Sequence, residues 1–127
     1  MSTTRRFPER IVAAFGESQV IGVRAGDAPH RFLAVWVVVV QGRVFARSWN
    51  DKPTGWHRAF VREKRGVIQI PDVREVRVIA KKPRGERLLS AIDRAYAEKY
   101  HTPASRKWVR GFKLARRKAT TTEFVPR

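Results

Sequence analysis

The amino-acid sequence predicts an α+β fold built on a curled or closed antiparallel sheet, with helices at its ends. Several short alternating segments follow one another across tight turns, which requires antiparallel neighbours. Helical patterns occur at the start of the chain, near its middle and toward its end. The apolar run 32–40 has two apolar faces, so we expect that strand to be covered on both sides, by barrel closure or by a dimer.

The first elements are a helix and a strand. Residues 1–7 are polar and are expected to be frayed. A short helix is predicted over 8–15, because proline suits its first turn and Gly16 suits its C-cap. Alternation predicts a strand over 19–24, and the glycine and proline of 25–29 predict a turn.

The middle of the chain predicts a hairpin and a loop. A long strand over 31–40 is followed by the tight turn Gln41-Gly42 and a returning strand over 43–49. Residues 50–55 are rich in turn formers and are expected to form a loop. A short helix over 56–64 follows, with its aromatic residues directed inward.

The C-terminal half predicts two strands, a long helix and a final strand. The two strands cover 66–70 and 73–80 and are separated by a Pro-Asp turn. The clearest helix covers 84–100, where apolar residues recur at three- and four-residue spacing. A further short helix is predicted over 105–112, and the threonines of 119–125 favour a strand.

Length and composition exclude several classes of protein. The 127 residues correspond to one domain over 1–127. The absence of cysteine excludes disulfides, thiolate metal sites and cysteine nucleophiles, and three histidines predict no metal site. The longest apolar run is far shorter than the roughly 18 residues of a membrane helix, and the N-terminus lacks a secretory pattern. We therefore expect a cytoplasmic protein that contacts no membrane.

The net charge of +17 is the most unusual property of the composition. A field of this sign attracts nucleic acid, anionic lipid or phosphorylated small molecules. An arginine-rich proteome produces the same bias without any binding function. The charge therefore indicates an anionic partner but does not indicate which kind.

The segment 45–58 is the candidate binding site. Its cations supply positive charge for an anion, its hydroxyls and the free N–H groups of the following helix supply donors, and its indoles can stack on a flat ring. A phosphate beside a flat ring describes a nucleotide or a flavin-type ligand. The alternative is that the indoles pack the barrel mouth, the threonine caps the helix and the cations are solvated. The candidate residues are Arg47, Ser48, Trp49, Lys52, Thr54, Trp56 and His57.

No catalytic constellation accompanies these residues. His57 has no partner carboxylate at an evident spacing, and His30 before the long strand is a second candidate near a barrel mouth. The sequence contains no phosphate-binding glycine loop and no recognisable nucleophile triad. The catalytic residues, if any, are unassigned from sequence.

The segment 105–113 interleaves cations with aromatic residues. That pattern can bind single-stranded nucleic acid, with cations on phosphates and rings on bases. The simpler interpretation is that Trp108, Val109 and Phe112 form one apolar helix face that docks on the sheet. Residues 101–127 hold eight basic residues and one acidic residue.

Six segments of the chain carry a resemblance to a known family: 21–26, 30–32, 35–39, 42–49, 91–100 and 119–127. They resemble an uncharacterised bacterial family known as domain of unknown function 2255. The family is similar in layout to the flavin-binding split-barrel superfamily, which includes proteins like pyridoxamine-phosphate oxidase and the deazaflavin-dependent nitroreductases. The resemblance implies an antiparallel split β-barrel with flanking helices, a homodimer with cofactor at the subunit interface, and a phosphate contact at the positions of Arg47, Ser48 and Lys52.

Three functions remain open from the sequence. The first is a homodimeric split barrel that binds FMN or a deazaflavin and acts as an oxidoreductase, with the cofactor supplying the redox chemistry. The second is a basic module that binds nucleic acid through its C-terminal segment. The third is a split barrel that binds no cofactor.

Overall fold

The computed structural model describes residues 6–26 and 31–127. These residues form an α+β fold, a nearly closed antiparallel barrel of seven strands with five flanking helices. The helices are α1 (Glu9–Glu17), α2 (Trp56–Arg62), α3 (Glu86–Lys99), α4 (Arg106–Gly111) and α5 (Ala115–Lys118). The strands are β1 (Val20–Ala25), β2 (Leu33–Trp36), β3 (Val38–Val40), β4 (Arg43–Ala46), β5 (Arg65–Ile70), β6 (Arg74–Lys81) and β7 (Thr122–Pro126).

All strand pairs are antiparallel, in the order β2-β1-β5-β6-β7-β4-β3. The two edge strands, β2 and β3, are consecutive in the chain and are separated by Val37 alone. The sheet therefore curls until its edges meet at Val37, and this is the split in the barrel. The predicted single strand over 31–40 is wrong in this respect, because its two halves belong to opposite edges.

Two side chains at the C-terminal end of α3, those of Lys99 and the C-cap residue Tyr100, bond to the backbone at the split. The N–H of Val37 donates to the Tyr100 hydroxyl at 3.0 Å, and the Lys99 ammonium donates to the Val37 carbonyl at 2.8 Å. The Tyr100 hydroxyl in turn donates to the Gln19 carbonyl at 2.6 Å. Val37 belongs to neither β2 nor β3. Its buried N–H and carbonyl groups are instead hydrogen-bonded to side chains at the end of α3.

Two apolar clusters lie on opposite faces of the sheet. The larger fills the barrel and includes residues of α1 and α2 such as Phe15 and Phe60. The smaller lies between the sheet and the helices α3 and α4, and includes Phe45 and Tyr96. Strand β4 is covered on both faces, because Val44 belongs to the first cluster and Phe45 to the second.

The long apolar run is covered less completely than we expected. Val35, Val37 and Val38 are buried, whereas Leu33 and Ala34 of β2 are exposed. The prediction from sequence therefore overestimated how much of this edge strand is buried. The exposed part borders the groove described below.

Several boundaries also differ from the predictions. Helix α1 continues through Gly16, which was expected to end it, to a C-cap at Ser18. Phe7, placed in the frayed segment, is buried against Phe15 with the ring centroids 5.3 Å apart. Strand β4 ends at Ala46 rather than at residue 49, and α5 had no counterpart in the predictions.

The hairpin turn is confirmed at Gln41-Gly42, where both residues have positive φ, 54° and 74°. His30 and most of the turn predicted over 25–29 lie outside the described residues. Among the helices described, none combines the length and the apolar character needed to cross a membrane.

Candidate functional site

An open groove of about 630 Å³ lies beside β2, against the loop that follows β4, the start of α2 and the helix α4. We call it the indole groove, because all four tryptophans of the chain line it. Ser48 and Asn50 contribute polar groups to its wall. Its aromatic lining residues are Trp36, Trp49, Trp56, Trp108 and Phe112.

Trp36 is placed in the groove by the end of β2. Its ring stacks on Tyr100 with a centroid distance of 4.0 Å and an interplanar angle of 3°. Phe112 lies at 6.1 Å from it in a tilted arrangement. Trp36 is followed by Val37, the residue at which the two edge strands of the barrel meet. The groove therefore lies where the barrel opens.

Trp49 and Trp108 form another part of the wall. Their rings meet edge-on at 4.7 Å, and Phe112 contacts Trp49 edge-on at 5.6 Å. The Arg117 guanidinium lies 3.4 Å from the centroid of the Trp49 ring, and its Nε donates to the Trp49 carbonyl at 2.8 Å. These contacts hold an indole that is itself 36% exposed.

Gly111 makes the approach of Trp49 to α4 possible. A methyl group at Gly111 would collide with the six-membered ring of the Trp49 indole. Trp56, the first residue of α2, is mostly buried and packs toward Phe60 and Phe124. Trp56 is thus anchored in the barrel core, whereas Trp36 packs against the second apolar cluster, between the sheet and the helices α3 and α4.

Arg47 borders the groove, but its guanidinium is bonded within the protein. The side chain is fully buried, and Nη1 lies 2.5 Å from the Asp93 carboxylate and 3.1 Å from the Phe112 carbonyl. Nε donates to the Thr121 hydroxyl at 2.8 Å. Nη2 donates to the Leu89 carbonyl at 3.2 Å. An external anion at this position would have to compete with a carboxylate.

The backbone of this segment is held equally firmly. The Tyr96 hydroxyl accepts the Arg47 N–H at 2.9 Å, and burial raises the pKa of that hydroxyl well above its usual value. The Ser48 N–H donates to Thr120 Oγ1 at 2.8 Å, and the Ser48 hydroxyl donates to the Asn50 carbonyl. The chain between β4 and the loop is therefore rigidly positioned although it is not part of the sheet.

Lys52, Thr54 and His57 do not line the groove. Lys52 and Thr54 are exposed on the loop, and the Lys52 N–H donates to Asn50 Oδ1 at 3.2 Å. His57 Nδ1 lies 2.7 Å from Asp51 Oδ1, so the expectation that this histidine has no partner carboxylate is wrong.

Asp51 ties the loop to α2. Besides His57 it binds Arg58, whose Nε donates to Oδ1 at 3.0 Å. The hydrogen bond from His57, followed by that from Arg58, lowers the pKa of the Asp51 carboxyl. The proximity depends on the fold of the loop, because Asp51 lies in the loop six positions before His57, which is already in α2.

The structure thus brings Ser48, Trp49 and Trp56 together around one groove and leaves Lys52, Thr54 and His57 beside it. Trp36, Trp108 and Phe112 were not among the predicted site residues. The predicted docked face of α4 is confirmed for Val109 and Phe112, which are buried. Trp108, assigned to the same face, is 41% exposed and lines the groove instead.

The arrangement is suited to holding a flat ring rather than to acid–base catalysis. Aromatic rings provide stacking and edge contacts, and the polar groups are the Ser48 hydroxyl, the Asn50 amide, the backbone and Arg47, whose guanidinium is bonded to Asp93. The described residues that line the groove include no carboxylate and no imidazole. Nor do the described histidine, aspartate and glutamate side chains form a group of three suited to a metal ion.

Comparison with known proteins supports the fold and identifies the family. The crystal structure of the conserved hypothetical protein Rv2991 from Mycobacterium tuberculosis has a TM-score of 0.59 and 15% sequence identity, over 98% of this chain and 86% of that one. At this identity the likeness concerns the fold alone. No curated protein matches the sequence. Residues 10–122 match the model of the family described as uncharacterized protein conserved in bacteria (DUF2255), and the chain therefore belongs to the DUF2255 family.

Proposed function

We propose that the indole groove binds a flat cofactor of the flavin class, FMN or a deazaflavin, and that the protein is a redox protein of the flavin-binding split-barrel type. The observation that carries this proposal is the convergence of four indoles and Phe112 on one open groove. Apolar, aromatic walls with a few polar groups are typical of sites for planar ring systems. A protein that keeps its large rings for packing alone would bury them, whereas Trp49 and Trp108 are partly exposed.

The aromatic residues of the groove suit the ring of such a cofactor. The phosphate contact, however, needs a residue other than Arg47, which was expected to supply it. Arg47 is already bonded to Asp93, so we assign the phosphate to cations beside the groove. Lys52 follows the groove residue Asn50 by two positions, and Lys107 lies with its ammonium 5.2 Å from the Trp108 ring. Both are exposed and available to an anion.

When bound, the cofactor supplies the redox chemistry, which needs no side-chain nucleophile. The indoles hold the ring and exclude water from one face of it. The hydroxyl of Ser48 and the amide of Asn50 are the polar groups that orient it. Thr54 and His57, near the start of α2, remain candidates for a contact to the phosphate side of the ligand.

We further propose that the protein is a homodimer with the groove at its interface. Of the seven large apolar side chains exposed in the described residues, four line the groove: Val20, Leu33, Trp49 and Trp108. The edge strand β2 borders it and is paired on one side only within the described residues. A second copy seated there would cover this edge and the exposed side chains of Val20 and Leu33.

Titration of the purified protein with FMN, riboflavin and a deazaflavin tests the cofactor proposal. Tryptophan fluorescence and calorimetry report binding, and visible absorbance of the fresh preparation reports cofactor that was purified with the protein. We expect Trp49→Ala and Trp108→Ala to weaken binding by about tenfold, the value of a stacking contact of about 1.4 kcal/mol. The control variants Val61→Ala and Val73→Ala, exposed residues outside the groove, are expected to bind normally.

A second pair of variants tests the phosphate anchor. Lys52→Gln is expected to weaken FMN binding by about two- to fivefold, as an exposed ion pair would, and to leave riboflavin binding unchanged. Lys64→Gln removes one exposed charge outside the groove and serves as its control. Failure of every flavin and deazaflavin to bind the folded protein would refute the proposal and favour a barrel without cofactor.

A further inference from the structure

Helix α4 and the residues just after it carry a positive surface next to the indole groove. It consists of four exposed cations and the partly exposed ring of Trp108, and we call these five residues the basic face: Arg106, Lys107, Trp108, Arg110 and Lys113. The segment 101–118 contains no acidic residue. Two residues of this helical segment, Val109 and Phe112, are buried, so the helix is anchored while its cations face outward.

Two shallow grooves follow this helix. One, of about 610 Å³, is lined by Lys107 and Trp108, and the other, of about 300 Å³, by Lys113 and His101. Arg106 and Arg110 line both grooves, so they form the ridge between them. The described lining residues of the two grooves include no aspartate or glutamate.

Trp108 connects this surface to the indole groove, because it lines both. Cations at 106, 107, 110 and 113 and partly exposed indoles at 108 and 49 therefore lie along one path. Phosphates at the cations and bases on the rings would satisfy both kinds of group at once. Charged grooves next to stacking rings are the features by which proteins bind single-stranded nucleic acid.

We infer that the basic face binds single-stranded nucleic acid, with the backbone on Arg106, Lys107 and Arg110 and a base stacked on Trp108. A duplex offers the same phosphates but keeps its bases paired, so it gains nothing from the ring. An anionic membrane attracts the cations as well, but Trp108 lies in the wall between two grooves rather than on a projecting apolar surface. The complementary charge and the ring together favour the single strand.

Binding of a fluorescent oligothymidylate to the full chain, followed by anisotropy at several salt concentrations, tests this inference. The affinity is expected to fall with salt with a log–log slope of about −0.7 for each phosphate contacted. The double variant Arg106→Gln/Arg110→Gln is expected to weaken binding by at least tenfold at low salt and to reduce the slope by about 1.4. Trp108→Ala is expected to weaken binding by roughly five- to 100-fold without changing the slope.

A charge-matched variant separates this surface from the general field of the protein. Arg74→Gln/Arg77→Gln removes two exposed cations of β6 and leaves the same net charge as the α4 double variant. It is expected to weaken binding by less than twofold. Equal losses in the two double variants would refute a site on α4. Trp108→Phe is expected to restore most of the affinity lost in Trp108→Ala, and circular dichroism checks that each variant is folded.

Two further ligands complete the test. A duplex of the same length that binds as tightly as the single strand would refute the stacked base, and so would vesicles of anionic lipid that bind with the same dependence on Trp108. Titration of the wild-type protein with FMN tests the two proposals separately, although both use Trp108. A wild-type protein that binds FMN but not the oligonucleotide contradicts only the nucleic-acid inference, and one that binds the oligonucleotide but no flavin or deazaflavin contradicts only the cofactor proposal.

Discussion

Arg47 shows how a single residue can have the chemistry of a ligand site and the environment of a core residue. On β4 and the segment after it, Arg47 lies on the same face as Phe45, which packs under α3. Its guanidinium meets Asp93, and Lys118 lies 3.2 Å from the other oxygen of that carboxylate. A buried cation in such a network is retained for structure, because removing it leaves a carboxylate partly unpaired.

Arg47→Met is therefore expected to lower the free energy of unfolding by about 3 kcal/mol, at the lower end of the range for a broken buried pair because Lys118 remains. Urea unfolding followed by circular dichroism measures the change. Lys52→Met, the exposed cation of the same candidate site, is expected to change stability by less than about 0.5 kcal/mol. Similar small effects of both variants would show that Arg47 is not a structural residue.

Gly111 controls the indole groove through sterics alone. A methyl group there would collide with Trp49, so Gly111→Ala is expected to displace the indole and to cost about 1–3 kcal/mol of stability. Gly16→Ala in α1 is the matched control, because a methyl group at Gly16 meets nothing within 4 Å. That change is expected to stabilise by about 0.5–1 kcal/mol. Thermal unfolding of both variants, with tryptophan fluorescence for the groove, decides whether Trp49 depends on the glycine.

Among the secondary-structure elements, α3 has the largest part in closing the barrel. Its C-terminal end supplies a hydroxyl and an ammonium to Val37, which links the two edge strands. Lys99 also donates to the Phe15 carbonyl at 3.1 Å, so the same end of α3 is bonded to α1. The end of α3 is thus bonded both to the split in the barrel, which lies beside the groove, and to α1.

Tyr100→Phe removes the acceptor of the Val37 N–H and leaves that buried group unpaired. The expected cost is about 1–3 kcal/mol of unfolding free energy. Hydrogen exchange identifies the position, because the Val37 amide is expected to lose protection while amides of β5, such as Ile68, change less. Uniform loss of protection across the sheet would contradict a local role for the hydroxyl.

Burial lowers the pKa of Lys99 to about 8, below its ordinary value of 10.5. Between these values the unfolded chain holds a proton that the folded chain has lost, so stability rises with pH. The unfolding free energy of wild type minus that of Lys99→Met is expected to increase from pH 7 to about pH 9.5. Lys64→Met, at an exposed lysine, is expected to show a flat difference. A difference that falls over this range for Lys99→Met would contradict the shifted pKa.

For the whole molecule, the exposed apolar side chains gather where the sheet has a free edge. Four of the seven exposed in the described residues line the indole groove, whereas the cations of α4 lie to one side of it. A charge of +17 opposes association at low salt, so the apolar contact must outweigh repulsion between copies.

Sedimentation at moderate salt is expected to show a dimer for the wild-type protein. Leu33→Glu places a carboxylate among the exposed apolar side chains beside the edge strand β2 and is expected to shift the protein to monomer. Val61→Glu makes the same change at a more exposed apolar residue outside the groove and is expected to leave the dimer intact. A wild-type monomer at high protein concentration would contradict the proposed interface.

Local patterns in the sequence were enough to predict most elements. The turn Gln41-Gly42 needs positive φ at both residues, and the apolar spacing of α3 places Ile92 and Tyr96 on one face, so both follow from neighbouring residues. Ser48, Trp49 and Trp56 were placed at one site because they flank a single loop. Trp36 and Trp108 were not, because they lie on separate elements, β2 and α4, and line one groove only in the folded chain.

The amino-acid sequence by itself therefore determines the α+β class, the antiparallel pairing and most of the helices, because these depend on periodicity and turn residues a few positions apart. Three features depend on contacts between residues more than 40 positions apart: the break at Val37, the burial of Arg47 and the assembly of the indole groove. Each is set by a partner from α3 or α4. Nothing in a run of valines or in an isolated arginine specifies which distant hydroxyl or carboxylate it will meet, and the packed fold supplies that information.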